Sequence, residues 1–191
     1  MLVTPPLSLY VHLPWCVRKC PYCDFNSHEQ RGALQFNAYV DALIADLDFD
    51  LPLAWGRTVQ TVFFGGGTPS LFPPDAIDRF LQLASARLRF APNAEITLET
   101  NPGTVEHGPF AGYRKAGVNR LSFGVQTFDE ACLQRLSRIA SSGDAEGAVK
   151  FSEADLQALL APLTEPANNP LGIPGEDALR WGGTGKRRPR P

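Results

Sequence analysis

Apolar positions alternate between two rhythms up to about Ser141: short compact runs, and longer stretches at helical spacing. Ser8 to Leu13 reads as a strand, and Asn37 to Asp48 places Val40, Leu43, Ile44 and Leu47 on one face of a helix. Val59 to Phe64 is apolar, β-branched and aromatic, which predicts a second strand, ending at Gly65-Gly66-Gly67. A helix from about Pro74 to Leu88 follows, with Ile77, Phe80, Leu81 and Leu88 facing inward. Glu95 to Thr100 predicts a third strand, leading through Asn101-Pro102-Gly103 to a helix that ends near Gly117. Arg120 to Val125 predicts a fourth, before a helix from about Asp129 to Arg138. Four βα units in series imply an α/β fold with a parallel sheet, as in part of a (β/α) TIM-like barrel.

Beyond Ser141 the pattern changes. Phe151 to Leu160 has the spacing of one more amphipathic helix, and past Pro162 come Pro, Gly and Asn at high density. Two regions are therefore expected: residues 1–150, a partial barrel domain, and residues 151–191, a largely disordered tail. The basic end, Lys186-Arg187-Arg188-Pro189-Arg190-Pro191, reads as a solvated Pro-rich tail rather than a nucleic-acid or membrane contact. Gly182-Gly183-Thr184-Gly185-Lys186 lacks the spacing, preceding strand and following helix of a phosphate loop.

Composition narrows the class. With 43% hydrophobic residues and a formal net charge of −2, the chain can bury a core and shows no global bias toward nucleic acid or membranes. The start, Met-Leu-Val-Thr-Pro-Pro, has no basic region followed by an apolar stretch, and no later run approaches the roughly 20 apolar residues of a membrane span. A soluble cytoplasmic protein is expected. Four cysteines are too few for a disulfide scaffold.

Three of those cysteines carry the strongest chemical signal. Cys16, Cys20 and Cys23 stand at C-x3-C-x2-C spacing in one loop after the first strand. Thiolates so placed can hold three corners of a four-iron cluster and leave the fourth iron open to a ligand. A zinc site completed by His28 is also chemically possible, but it leaves the triple glycine unexplained. The glycines follow strand two, Glu99 closes strand three and Gln126 closes strand four, so all four signals fall at the carboxyl ends of strands, where a parallel barrel keeps its site. Singly, Glu99 and Gln126 read as a solvated strand end and a loop cap; their shared position beside the cysteines favours a functional role. Cys132, on an amphipathic helix, is expected to be a small buried apolar residue. Trp15 and Phe25 are expected to shield the loop or pack on the barrel wall, and Arg18 and Lys19 to be solvated.

The motifs Tyr10-Val11-His12-Leu13-Pro14-Trp15-Cys16 with Cys20 and Cys23, Phe63-Phe64-Gly65-Gly66-Gly67-Thr68-Pro69-Ser70, Glu99-Thr100-Asn101-Pro102 and Ser122-Phe123-Gly124-Val125-Gln126 occur in that order. Over about Leu7 to Arg138 they resemble the oxygen-independent coproporphyrinogen III oxidase family of radical SAM proteins. Within it the chain is more similar to the heme chaperone branch: the oxidases carry a further cysteine two residues after the third, where this chain has Phe25, and the run Cys23 to His28 is also of the chaperone type.

The resemblance implies a [4Fe-4S] cluster on Cys16, Cys20 and Cys23, with S-adenosylmethionine (SAM) chelating the fourth iron. In the family an electron from the cluster cleaves SAM to methionine and a 5′-deoxyadenosyl radical. It implies SAM contacts at Tyr10, Gly66, Gly67, Thr68 and Glu99, an aromatic contact at Tyr22, and a second SAM-binding role for Gln126 and Arg138. Heme or porphyrin, a reducing electron donor and heme-recipient proteins are the partners implied. The first function expected is heme chaperoning in porphyrin metabolism. The alternatives are a coproporphyrinogen dehydrogenase that decarboxylates propionates by radical chemistry, and an inactive truncated remnant. The family's barrel has about six βα units and a C-terminal domain, whereas four units are legible here, and Ala140 stands where the family favours a histidine. A truncated or frame-disrupted product is expected from the loss of resemblance after about Lys150.

Overall fold

A computed structural model describes residues 4–101, 110–127 and 130–136, all within the unit Met1–Lys150. The predicted tail, its amphipathic helix and Arg138 lie outside the described residues. In chain order the elements are strands β1 (Leu7–Leu13), β2 (Trp15–Cys16) and β3 (His28–Glu29), helix α1 (Phe36–Ala54), β4 (Thr58–Gly66), a 3-10 turn (Pro69–Leu71), α2 (Pro74–Ser85), β5 (Arg89–Thr100), α3 (Phe110–Lys115), β6 (Arg120–Phe123) and α4 (Glu130–Arg135).

The four expected strands form one parallel sheet in the order β1-β4-β5-β6. Because side chains alternate, one face carries Leu9, Val11, Leu13, Val62, Phe64, Ile96 and Leu98, and the helices cover it. Phe64 and Leu98 are fully buried there, and Val40, Ile44, Ile77, Phe80, Leu81 and Tyr113 close the core from the helix side. The opposite face is polar and tiered across the register. One tier is Tyr10, Phe63, Thr97 and Arg120; the next, nearer the strand ends, is His12, Gly65, Glu99 and Ser122. This is the interior side of a partial barrel.

Boundaries differ from expectation for physical reasons. Helix α1 continues past Asp48 and through Pro52, because Leu51 and Ala54 extend the stripe that packs on the core. Pro73 and Pro74 start α2 with φ already set for a helix, and the helix stops at Ser85, although Leu88 stays buried. Strand β5 begins at Arg89 rather than Glu95. Its early part contains Pro92, which cannot donate to a ladder, and the register shifts there. Asn119 repairs the irregularity with its side-chain amide, accepting from the Ile96 N–H (2.7 Å) and donating to the Ala94 carbonyl (2.9 Å). Gly117, at φ +107°, follows α3 in the left-handed conformation that commonly ends helices. Cys132 is exposed, contrary to expectation; the adjacent Leu133 is buried instead, since one step along a helix turns the side chain about 100°. No helix among the described residues is long and apolar enough to cross a membrane.

Candidate functional site

The cysteine loop closes on its own start. Cys16 lies on β2, which pairs with β3 through Trp15 opposite His28 and Cys16 opposite Glu29. The His28 N–H donates to the Pro14 carbonyl (2.7 Å) and the Gln30 N–H to the Cys16 carbonyl (2.8 Å), while Cys23 N–H to Cys20 carbonyl (3.1 Å) folds the tip into a turn. Lys19, itself exposed, braces the loop, its ammonium donating to the carbonyls of Phe25 (3.3 Å) and Ser27 (3.0 Å). Neither the β2–β3 ladder nor this role of Lys19 is visible in local sequence pattern, since both are made by residues that only loop closure brings together.

The three thiols are reduced and unequal. Cys16 is buried, and Cys20 and Cys23 are intermediate. Burial pushes the Cys16 thiol up, the Thr68 and Ser27 hydroxyls pull it back, and the neighbouring Cys23 and Cys20 push it up again. Ser27, itself buried, places its Oγ 3.9 Å from the Cys23 sulfur. Among the described residues no group of three or more His, Cys, Asp or Glu converges as a single metal ion requires. A four-iron cluster makes a different demand, with each thiolate bonded to its own iron. Three thiols of one short loop, none in a disulfide and one, Cys23, 3.9 Å from the Ser27 hydroxyl, fit that demand. His28 is exposed.

His12 ties this loop to β1. Its Nε2 lies 2.7 Å from the Asn26 carbonyl, which can only accept, so Nε2 carries the proton. Nδ1, 3.1 Å from the Tyr10 hydroxyl, is then the acceptor in the neutral ring. The Tyr39 hydroxyl donates to the His12 carbonyl (2.9 Å). No sequence motif assigns His12 a role of its own; its position two residues from Tyr10 on the same strand face is the signal that marks it.

The glycines bring β4 against the loop. A Cβ on Gly66, which has φ +124°, would lie 2.8 Å from the Leu13 carbonyl, and one on Gly67 would lie 2.7 Å from the Pro14 carbonyl. Hence at these positions the chain's own backbone, and not only a bound ligand, requires glycine. That close approach lets Gly67 N–H reach the Leu13 carbonyl (2.8 Å) and Thr68 N–H the Trp15 carbonyl (2.7 Å). Thr68 is buried, and its Oγ1 accepts from the Asn101 side-chain amide (3.2 Å).

Glu99 faces the interior side in the tier of His12 and Gly65. Burial pushes its carboxyl up, opposed by a hydrogen bond from the Gly66 backbone N–H. The Tyr10 hydroxyl is pushed up by burial and then by the charge of Glu99. Tyr10, 58% exposed, stacks on Phe63 at 6.3 Å between ring centres. Tyr22 and Phe25 are exposed on the loop, whereas Trp15 packs on the wall against Tyr39 (4.6 Å) and Phe72 (5.5 Å). Gln126 lies exposed just past β6, at the same end of the sheet, with φ +65°, a region uncommon outside glycine.

A profile of the Radical SAM superfamily matches residues 10–177, past the point where the quoted motifs end. The chain is 53% identical over 152 residues to the heme chaperone HemW of Escherichia coli K12, covering 80% of this chain and 40% of that protein. It is 36% identical over 174 residues to mouse "Radical S-adenosyl methionine domain-containing protein 1, mitochondrial", covering 91% of this chain and 38% of the relative. The structure of coproporphyrinogen III oxidase (HemN) from Escherichia coli, a radical SAM enzyme, matches with a TM-score of 0.67 at 33% identity, over 75% of this chain and 33% of that one. The chain thus spans about 40% of the length of these relatives.

Proposed function

Because the chain belongs to the radical SAM superfamily, we propose that Cys16, Cys20 and Cys23 hold a [4Fe-4S] cluster whose open iron takes SAM, in a protein that binds heme and passes it to recipient proteins. The observation that carries the reading is the three-thiol loop folded against Thr68, with Tyr10 and Glu99 at the same end of the sheet. A cluster of this kind supplies a single electron to the ligand on its open iron, chemistry that belongs to the cofactors.

The chain's own residues would bind and orient SAM. Glu99, half-buried, is a carboxylate able to accept hydrogen bonds from an ammonium or a ribose hydroxyl. Tyr10, held by His12, offers a hydroxyl on the same face of the sheet. Gly66, Gly67 and Thr68 present the rim of the β4 loop, and Tyr22 contributes an aromatic face. Gln126, with Arg138, would serve a second SAM or the substrate side. Chaperoning is favoured over decarboxylation by the 53% identity to HemW and by Phe25, which occupies the position of the oxidase's extra cysteine.

Anaerobic reconstitution of the full chain with iron and sulfide, followed by metal analysis, heme titration and an assay with coproporphyrinogen III, tests the reading. Four irons per chain, lost on Cys16→Ser, Cys20→Ser or Cys23→Ser, and heme binding without decarboxylation are expected. Decarboxylation with turnover would establish the oxidase instead. A chain that takes up neither cluster nor heme would be an inert remnant.

A further inference from the structure

Building on the cluster reading above, we propose that Lys19 is a positioning residue: its ammonium latches the tip of the loop, which carries Cys20 and Cys23, and so sets how firmly a cluster is held. Cys16 sits on a separate, fixed base. Along the chain from His12, five successive carbonyls each have a partner: His12 accepts from the Tyr39 hydroxyl (2.9 Å), Leu13 from Gly67 N–H (2.8 Å), Pro14 from His28 N–H (2.7 Å), Trp15 from Thr68 N–H (2.7 Å) and Cys16 from Gln30 N–H (2.8 Å). Alternate carbonyls go to the β4 loop and to the β3 segment, so the backbone that carries Cys16 is held from both sides.

The tip is tied differently. Cys23 N–H to the Cys20 carbonyl (3.1 Å) and Ser27 N–H to the Phe25 carbonyl (2.7 Å) close short turns within it, and neither bond reaches the base. Side chains make that connection. His12 Nε2, 2.7 Å from the Asn26 carbonyl, fixes the returning arm to β1, and the Lys19 ammonium takes the carbonyls on either side, Phe25 (3.3 Å) and Ser27 (3.0 Å). Lys19 immediately precedes Cys20, whereas Phe25 and Ser27 follow Cys23, so one ammonium joins the arm entering the tip to the arm leaving it. Its four-carbon stem spans the loop and its three donors suit two carbonyls at once. Among the described residues the ion pairs are those of Arg79, Arg87 and Arg120, so no carboxylate competes for it. A tip already closed before loading has less conformational entropy to lose when its thiolates bind iron.

The first measurement needs no cluster. In the reduced, metal-free full chain, amide hydrogen exchange at Cys23 and Ser27 should be about tenfold faster in Lys19→Met than in wild type, the scale of one hydrogen bond to a charged group. His28 and Gln30, whose N–H groups hold the base, should keep their wild-type rates. In the second measurement, EDTA should strip iron from reconstituted Lys19→Met about tenfold faster than from wild type. Lys19→Arg, which keeps charge and donors, should restore both rates. Arg18→Met removes an exposed neighbouring charge that has no hydrogen bond among the described residues, and should change neither. Wild-type rates in Lys19→Met, in either measurement, would overturn the proposal, as would an equal effect of Arg18→Met, which would make it one of charge alone. Exchange that quickens equally at His28 and Gln30 would also overturn it, because Lys19 would then support the whole loop rather than place its tip. A wild-type chain that takes up no cluster would instead refute the cluster assignment, and the exchange rates alone would then decide the latch.

Discussion

A Cβ on Gly67 would sit 2.6 Å from the carbonyl oxygen of Trp15, closer than two such atoms can approach. The obstacle is backbone on both sides, because the Pro14 carbonyl carbon is only 2.7 Å from the same point, so no side chain can turn away. Gly67→Ala should push β4 off the β2 loop. A cost of about 1–3 kcal/mol is expected from overpacking of this kind, read as a lower Tm, together with reduced iron uptake on reconstitution. Unchanged stability and iron content would show that the loop can move aside freely.

Tyr113 fastens α3 to the 3-10 turn. Its buried hydroxyl stands 2.9 Å from the Ser70 carbonyl and 2.8 Å from the Phe72 carbonyl. Tyr113→Phe should destabilise the fold by about 1–3 kcal/mol, the cost of leaving buried acceptors without their donor. Burial pushes the Tyr113 hydroxyl up to about 12, against an ordinary value of 10.0. A raised folded-state value means stability that is complete below pH 10 and is lost as pH rises toward 12. Urea denaturation across that window should therefore show the gap between wild type and Tyr113→Phe closing as pH increases.

Glu99 has the opposite consequence at neutral pH. Its carboxyl is held above the ordinary 4.5 by burial, so keeping it ionised costs stability at pH 7, and the cost disappears below pH 4.5, where the group is protonated in both states. Glu99→Gln retains an acceptor for the Gly66 N–H. Thermal melts should find it more stable than wild type at pH 7, by a margin that shrinks on acidification, while SAM affinity falls. A variant less stable at pH 7 would mean that hydrogen bonding to the carboxylate outweighs burial.

The two adjacent phenylalanines of β4 should respond unequally. Phe64 is fully buried and meets Phe80 edge-on at 5.6 Å between ring centres, whereas Phe63 lies on the interior face against Tyr10. Phe64→Ala should cost about 3–5 kcal/mol, a large part of the roughly 5–15 kcal/mol that holds a small domain folded. Phe63→Ala, which removes a partly exposed ring, should cost less than half as much in the same urea titration.

Strands and helices were legible because their apolar residues recur with the period of the element: Val59 to Phe64 for β4, and Ile77, Phe80 and Leu81 for α2. Errors fell where periodicity is silent. The start of β5 was obscured by Pro92, whose ladder defect Asn119 repairs from 25 residues further along the chain, counted to Ala94. Cys132 was misplaced because Cys132 and Leu133 are both acceptable apolar positions in a short helix, and only packing selects between them.

For the site, the residue types and spacing of Cys16, Cys20 and Cys23, and the run Gly65-Gly66-Gly67-Thr68, were sufficient to point to the family. Such information is local: thiolate spacing within a loop and glycine at a crowded strand end are written in consecutive residues. The tertiary structure alone decided that Lys19 braces the loop, that His12 links Tyr10 to Asn26, and that Asn101 reaches Thr68 beside Cys16. Each of these contacts joins groups whose relative position is set by strand register and loop closure. Hydrogen bonds of a few ångströms depend on that register, and no pattern along the chain encodes it.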